Sequence, residues 1–357
     1  MRKFRIGIAG YDLWPHTLAF IRTLRDAEFC EITAVWDEDA TDRKLLVGHT
    51  GARAFVSLDE FVSSEIDGGI LTVRTSERAR VCKALAAAGK HVLADKPMAM
   101  TVEECSEMIT ACERSGVALF SGFNFRFWKT FSLMKKIWDS GELGDPHHIM
   151  CSYPTGMPSK REDDKSLTSW WTDPEATPGG AWFTHADHAI DFARWLFQTE
   201  VAEVTADMRK LRYAEFETED YGVAHFVLVN GATLLIHSDG ISPGVRSRLD
   251  LNVYGTKGGM TFSWRPESIL RVWTDDSSKP NVTEYHIADS WDIAMREMTR
   301  SWIDGATRGT DPEVTGLDGL RVMEASLAAY EASEKHTVVK LRESEGIDGD
   351  TTGGGTQ

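Results

Sequence analysis

The chain has 357 residues, 42% of them hydrophobic and 26% charged, with a formal net charge of −16; at about 150 residues per domain the length suggests two domains. That excess of acid repels phosphate backbones and argues against nucleic acid as a partner. The five cysteines (Cys30, Cys82, Cys105, Cys112, Cys151) lack CxxC spacing, which points away from a disulfide framework or zinc ribbon and toward reduced thiols in a cytoplasmic protein.

No apolar run reaches the length of a membrane span. Met1-Arg-Lys ahead of FRIGIAG is too short for a secretory leader and reads as the approach to a strand, so no membrane partner is expected. In chain order, Phe4–Ala9 is a first strand, and residues 17–24 form a helix with Pro15 suited to its first turn. Residues 31–36 and 69–73 are strands. Residues 78–88 form an alanine-rich helix that ends at Gly89. His91–Ala94 is a strand, Thr101 opens a helix to about 113 with a capping-box pattern to Glu104, and residues 117–120 are a strand. Strands alternating with helices predict an α/β fold, a doubly wound parallel sheet over residues 1–121.

The pattern changes beyond 122. Residues 148–153 read as a strand. Residues 221–229 and 232–238 flank Asn230-Gly231, which predicts a hairpin with a type I′ turn. Residues 249–254 and 260–264 predict a second hairpin with a longer turn over 255–259, and residues 268–274 alternate as well. The expectation for 122–342 is an α+β domain with a large, mostly antiparallel open sheet and helices at 290–304 and 315–335. The acidic, glycine-rich stretch 343–357 reads as a disordered tail.

Two segments carry candidate chemistry. The first is the strand–turn–helix containing Gly10, Tyr11, Asp12 and Leu13, where glycines and helix amides meet a dinucleotide pyrophosphate. Gly10 is the first glycine of a GxGxxG pattern, but the second falls on Asp12 and the third on Pro15. Taken alone, the segment is either an ordinary strand-to-helix turn or a degenerate cofactor loop. Asp37 lies 27 residues after Gly10, near the usual offset of an acid that binds the adenosine ribose. Glu38 follows it and no arginine is adjacent, so NAD is favoured over NADP; the alternative is a solvated acidic turn.

The second segment is GKHVLADKP, which puts Lys96 at the carboxyl end of a parallel strand, where ligands bind in open sheets. GGAWFTHADHAID then starts a helix on which Thr184 and His188 are i,i+4 neighbours and His185 and His188 are i,i+3 neighbours. A histidine there can exchange a proton near neutral pH, or these polar groups can simply cap the helix. The spacing is not that of HExxH and no third ligand is evident, so no metal is assigned. Trp170, Trp171 and Trp182 offer faces to a sugar ring or belong to the core. The loop 159–169 carries no readable code for a substrate.

Six segments in order resemble the glucose–fructose oxidoreductase/inositol dehydrogenase (Gfo/Idh/MocA) family: GKHVLADKP (89–97), GFNFRF (122–127), SGELGD (140–145), GGAWFTHADHAID (179–191), YGTKGG (254–259) and PEVTGLDGLR (312–321). The resemblance implies an NAD(P)-binding Rossmann domain and a second domain whose sheet covers the nicotinamide. It implies hydride transfer between the nicotinamide and a sugar, polyol or related hydroxy or keto compound, and a homodimer or homotetramer assembled through that sheet. Carried over by position, Lys96 holds the substrate hydroxyl and His188 is the acid/base, while Asp95, Lys96 and Asn124 reach the cofactor. The family's aspartate before that histidine falls on Thr184, which keeps the capacity to orient His188, with His185 a second titratable ring. The family's Thr-Pro-Asn becomes Thr72-Val73-Arg74, which sets a positive charge near Asp12 and the cofactor phosphates. The resemblance also leaves open an NAD-dependent glycoside-cleaving enzyme, since related scaffolds cleave a glycosidic bond through transient NAD oxidation. The departures at Asp12, Pro15 and Thr184 leave a second alternative, a non-catalytic binding protein on the same fold.

Overall fold

A computed structural model describes residues 2–155, 172–242, 248–265, 268–278 and 282–341. The expected tail, the loop 159–169, Trp170 and Trp171 lie outside the described residues.

The first sheet is built from β1 (Phe4–Ala9), β2 (Cys30–Trp36), β3 (Arg53–Phe55), β4 (Gly68–Leu71), β5 (His91–Ala94) and β6 (Leu119–Ser121). All pairs are parallel, in the order β3-β2-β1-β4-β5-β6. Its central strands are buried almost continuously because helices cover both faces. Those helices include α1 (Trp14–Leu24), α2 (Ala40–Thr50), α3 (Leu58–Val62), α4 (Thr75–Ala87) and α5 (Val102–Ser115). Chain order reverses between β1 and β4, the switch point at whose carboxyl ends ligands bind in open α/β sheets. The unit α2–β3–α3 was not anticipated. Helix α2 is polar on most positions, and its start is set by Asp39, whose carboxylate accepts the N–H groups of Thr41 and Asp42. The Thr101 hydroxyl does cap α5, but the Glu104 carboxylate accepts from Met100 N–H rather than from Thr101, so the expected reciprocal box is displaced by one residue.

After a 3₁₀ turn (Phe125–Phe127) and α6 (Lys129–Asp139), the second sheet runs through β7 (Pro146–Pro154), β8 (Val201–Arg209), β9 (Tyr221–Leu228), β10 (Thr233–Asp239), β11 (Leu249–Gly255), β12 (Gly258–Trp264), β13 (Ile269–Thr274), β14 (Thr283–His286) and β15 (Val339–Lys340). The nine strands run β14-β13-β12-β11-β7-β10-β9-β8-β15, antiparallel except where β7 meets β10. Strands β8 and β14 escaped the sequence reading because their apolar alternation is interrupted by charged and polar residues. Two turns are also corrected. Only Gly231 of the Asn-Gly pair has positive φ, and Gly231 N–H donates to Leu228 O, so the connection is a three-residue loop and not a type I′ turn. Gly255 pairs directly with Gly258, leaving a two-residue turn where a longer one was expected.

Helix α7 (Phe183–Phe197) lies against β7 and β10. Helices α8 (Trp291–Arg308) and α9 (Gly316–Lys335) return from the second sheet, α8 onto α1 and α9 onto α5 and β6. The chain's last helices thereby hold the first sheet and α7 in one packed body. Among the described residues no helix is long and apolar enough to cross a membrane. All five cysteines are buried and unbridged.

Candidate active site

The turn after β1 is set by Gly10. Its φ is +97°, and a Cβ there would come within 2.3 Å of Val73 N. The segment Thr72-Val73-Arg74 forms the floor beneath it. Thr72 Oγ1 donates to Gly10 O at 2.7 Å, Leu13 N–H donates to Thr72 O at 3.1 Å, and Arg74 pairs with Asp12 at 3.1 Å while its own N–H reaches the same carboxylate at 3.0 Å. Asp12, standing where a second glycine was expected, is thus neutralised by Arg74. The Tyr11 ring is turned inward, its hydroxyl 3.1 Å from His49.

Asp37 accepts the N–H of Tyr11 (2.9 Å) and of Asp39 (2.8 Å). Burial, with Asp12 and Asp42 nearby, pushes its pKa up to about 7. Each carboxylate oxygen has two lone pairs, so both can still accept ribose hydroxyls. Arg43 donates to the carbonyls of Asp37 and Glu38, and Arg80 pairs with Glu38 at 2.7 Å. No arginine adjoins Asp37 in sequence; the fold brings in these two from 43 and 80. Gly10→Ala is expected to cost about 3 kcal/mol of stability, because the strain of positive φ adds to a collision with backbone. A urea melt measures the loss, and an unchanged midpoint would refute this account of the turn.

At the end of β5, Lys96 is 3% exposed. Its Nζ donates to Thr184 O and stands 3.8 Å from Asp187 Oδ2. Burial lowers its pKa against the opposing pull of Asp187 and Asp95. Lys96 has three N–H donors, and a substrate oxygen can take one of them. Asp95 is fully buried and accepts from Lys96 N–H and from His16, whose Nδ1 is 2.8 Å away. Burial alone would raise its pKa, but His16 and Arg78 more than offset it, and Asp95 stays ionised. Arg78, buried on α4, donates to the carbonyls of Val73, Asp95 and Pro97 and so ties the floor of the Gly10 turn to the lysine strand. Asn124, which follows β6, is buried with its Nδ2 donating to Met295 Sδ at 3.5 Å and its Oδ1 without a partner.

Helix α7 supplies the opposite wall. Its first turn is clamped by buried Glu219, whose carboxylate accepts N–H groups of Gly180 (2.7 Å) and Trp182 (2.9 Å). The Thr184 hydroxyl donates to Gly180 O at 2.7 Å and does not orient His188, contrary to expectation. His185 donates through Nδ1 to Ala181 O, and burial pushes its pKa down to about 3. His188 stacks on Phe125 with ring centres 4.4 Å apart. Burial, then Lys96, His185 and His16, hold its pKa well below the usual histidine range. Asp187 points at Lys96. Trp182 is wholly buried against Tyr330, so it is core and not a sugar platform.

Asp187, His16, Arg78 and Glu219 were not singled out from sequence as site residues. Asp187 was in view inside HADH, but spacing alone does not say which side chain of a helix turn faces a lysine from another sheet. His16 and Arg78 carried no signal, since their partners lie far along the chain. Among the described residues, no group of three or more His, Cys, Asp or Glu side chains is placed to hold a metal ion.

The residues present fit a dinucleotide: a glycine-dependent turn, a carboxylate at the end of β2, and Arg74 against the α1 start. Comparison with known proteins agrees. The profile described as "Oxidoreductase family, NAD-binding Rossmann fold" matches residues 4–123, and the profile of the GFO/IDH/MocA C-terminal domain matches 131–261. The chain is 25% identical over 345 residues to a myo-inositol 2-dehydrogenase of Thermotoga maritima, covering 95% of this chain and 99% of the relative. Among solved structures it resembles an oxidoreductase domain protein of Kribbella flavida (TM-score 0.86, 18% identity, 96% and 100% of the two chains). It also resembles a levoglucosan dehydrogenase solved with NADH and L-sorbose (TM-score 0.84, 18% identity, 96% and 100% coverage). Fold and profile together define an NAD-binding oxidoreductase. The chain belongs to the Gfo/Idh/MocA family.

Proposed function

We propose that the protein is an NAD-dependent dehydrogenase or reductase acting on a secondary alcohol, or its ketone, in a sugar, polyol or related small molecule. The observation that carries this reading is the meeting of Lys96 with the first turns of α7 at the carboxyl end of β5. Residues 1–121 hold the cofactor and 122–342 form the substrate wall. When bound, NAD supplies the hydride acceptor. Asp37 takes the adenosine ribose, the turn 10–13 with Thr72, Val73 and Arg74 meets the pyrophosphate, and Asp95 and Asn124 line the nicotinamide end. Lys96 polarises the substrate oxygen, and a group on α7 accepts its proton. Such a site acts by positioning and fixed charge. We place the protein in the cytoplasm as a homodimer or homotetramer joined through the second sheet.

Titration with NADH, followed by nicotinamide fluorescence, tests the cofactor half. Saturable binding is expected, and none at millimolar cofactor would sink the reading. Asp37→Ala is expected to weaken NADH by about tenfold through the loss of charge-assisted hydrogen bonds to ribose. The same change should raise the ratio of NADPH to NADH affinity, because Arg43 and Arg80 remain close by. An unchanged ratio would show that Asp37 does not read the ribose.

A further inference from the structure

We infer that Asp187, in place of the His188 that the family resemblance implies, is the catalytic residue that takes the hydroxyl proton of the substrate, and that it brings to α7 the carboxylate missing from position 184. The inference rests on the dehydrogenase reading above and deepens it.

Four side chains on the first turns of α7 compete for the role. The Thr184 hydroxyl is committed to Gly180 O. His185 spends Nδ1–H on Ala181 O, and its pKa, lowered chiefly by burial and next by Lys96, keeps it from holding a proton near neutrality. His188 is sealed in a stack with Phe125, the ring planes 14° apart, and both burial and the neighbouring Lys96, His185 and His16 drive its proton off. A group that cannot keep a proton is a poor general base.

His188 Nδ1 is likewise buried without a partner, but Asp187 differs in aiming its unpartnered atom at Lys96. Its Oδ1 accepts His188 N–H at 2.7 Å, which fixes the plane of the carboxylate. Its Oδ2 is buried without a hydrogen-bond donor, 3.8 Å from Lys96 Nζ. A buried carboxylate oxygen left this way is costly, and a substrate hydroxyl that also touches Lys96 satisfies it. Positions 184 and 187 share one helix face, and Lys96 touches both residues, one through a carbonyl and one through a carboxylate. A carboxylate moved three residues along the helix therefore still reaches the lysine.

The step balances. The C–H bond of the alcohol breaks, and its electron pair goes with the hydrogen to nicotinamide C4. The O–H bond breaks, the carbonyl forms, and the proton rests on Asp187 Oδ2. The groups facing Asp187 are Lys96 and Asp95 at the end of β5, Arg78 on α4, Tyr153 on β7, and Asp191 and His188 on α7 itself. Burial raises its pKa to about 7 against the pull of Lys96. In the oxidising direction Asp187 must be ionised, so kcat falls as pH drops through that value.

The test uses the full chain with NAD and a panel of pyranoses and polyols, in four forms: wild type, Asp187→Asn, His188→Gln, and the double variant Thr184→Asp/Asp187→Asn. Asp187→Asn is expected to lower kcat by about 10²–10⁴-fold and to erase the acid limb of the kcat–pH profile. Its NADH affinity should stay within about threefold of wild type. The double variant, with the carboxylate one turn earlier, is expected to regain about tenfold over Asp187→Asn. A readout without substrate is the infrared absorption of protonated carboxyls that titrate near neutrality, to which Asp187 and Asp37 both contribute. Asp187→Asn should remove one component and Asp37→Asn the other, and an Asp187→Asn spectrum identical to the wild type would count against the proposal. Asp187→Glu, which keeps the charge, should lower kcat while retaining the acid limb, and it serves if the asparagine variant does not fold. If the limb survives in Asp187→Asn and disappears in His188→Gln, the proposal is overturned and the dehydrogenase reading stands. A wild type that binds no NADH overturns that reading and this proposal together.

Discussion

Lys96→Met is expected to lower kcat/KM by about 10³-fold, the scale seen when one preorganised donor to a reacting oxygen is removed. The ammonium is placed by β5 and by the Arg78 bonds to the carbonyls of Asp95 and Pro97 on either side of it, so no flexible neighbour replaces it. The same substitution leaves Asp187 buried without its cation. An uncompensated buried charge costs roughly 3–5 kcal/mol, but Asp187 already titrates at about 7. It takes up a proton at little cost instead, and methionine keeps most of the lysine's apolar volume. The loss of stability should therefore fall well short of that range. Steady-state kinetics beside a urea melt separate the two effects. A large drop in midpoint with a matching drop in rate would mean that Lys96 is a structural group and not a substrate contact.

The largest effect on stability is expected from Arg126→Met. The Arg126 guanidinium donates to both oxygens of Asp191 (Nε at 3.0 Å), to Asp318 at 2.9 Å and to Glu313 O at 2.9 Å. Asp191 is completely buried on α7, one turn beyond Asp187. Removing the arginine strands that carboxyl, and the expected loss is about 3–5 kcal/mol. The comparison is Arg22→Met, which breaks an exposed pair with Asp292 and should cost less than about 1 kcal/mol. Arg126→Met/Asp191→Leu should recover a large part of the loss, because a buried pair replaced by apolar groups is often neutral. Equal denaturation midpoints for the Arg22 and Arg126 variants would show that the buried pair is not what holds α7 in place.

The legible parts of this molecule were those with short-range signals. Buried strands between capped helices gave away the parallel sheet, and Lys96 was found because a strand and a proline bracket it. Strand β8 was missed because its apolar alternation is broken by charged residues, and it is held by pairing with β9 and β15. Thr184 occupies the family's aspartate position, which makes it the expected orienting group. In the structure its hydroxyl turns back to Gly180 and the carboxylate that meets the lysine is Asp187.

The sequence by itself determined the parallel nucleotide-binding half, the antiparallel second half and the two segments that make the site, because hydrophobic period, caps and glycine requirements act over a few residues. Only the tertiary structure decided the pairings: Arg74 with Asp12, His16 with Asp95, Glu219 with the α7 start, and Lys96 with Asp187. These partners are brought together by packing over long chain separations. Their protonation follows from how deeply that packing removes them from water, which no local spacing encodes.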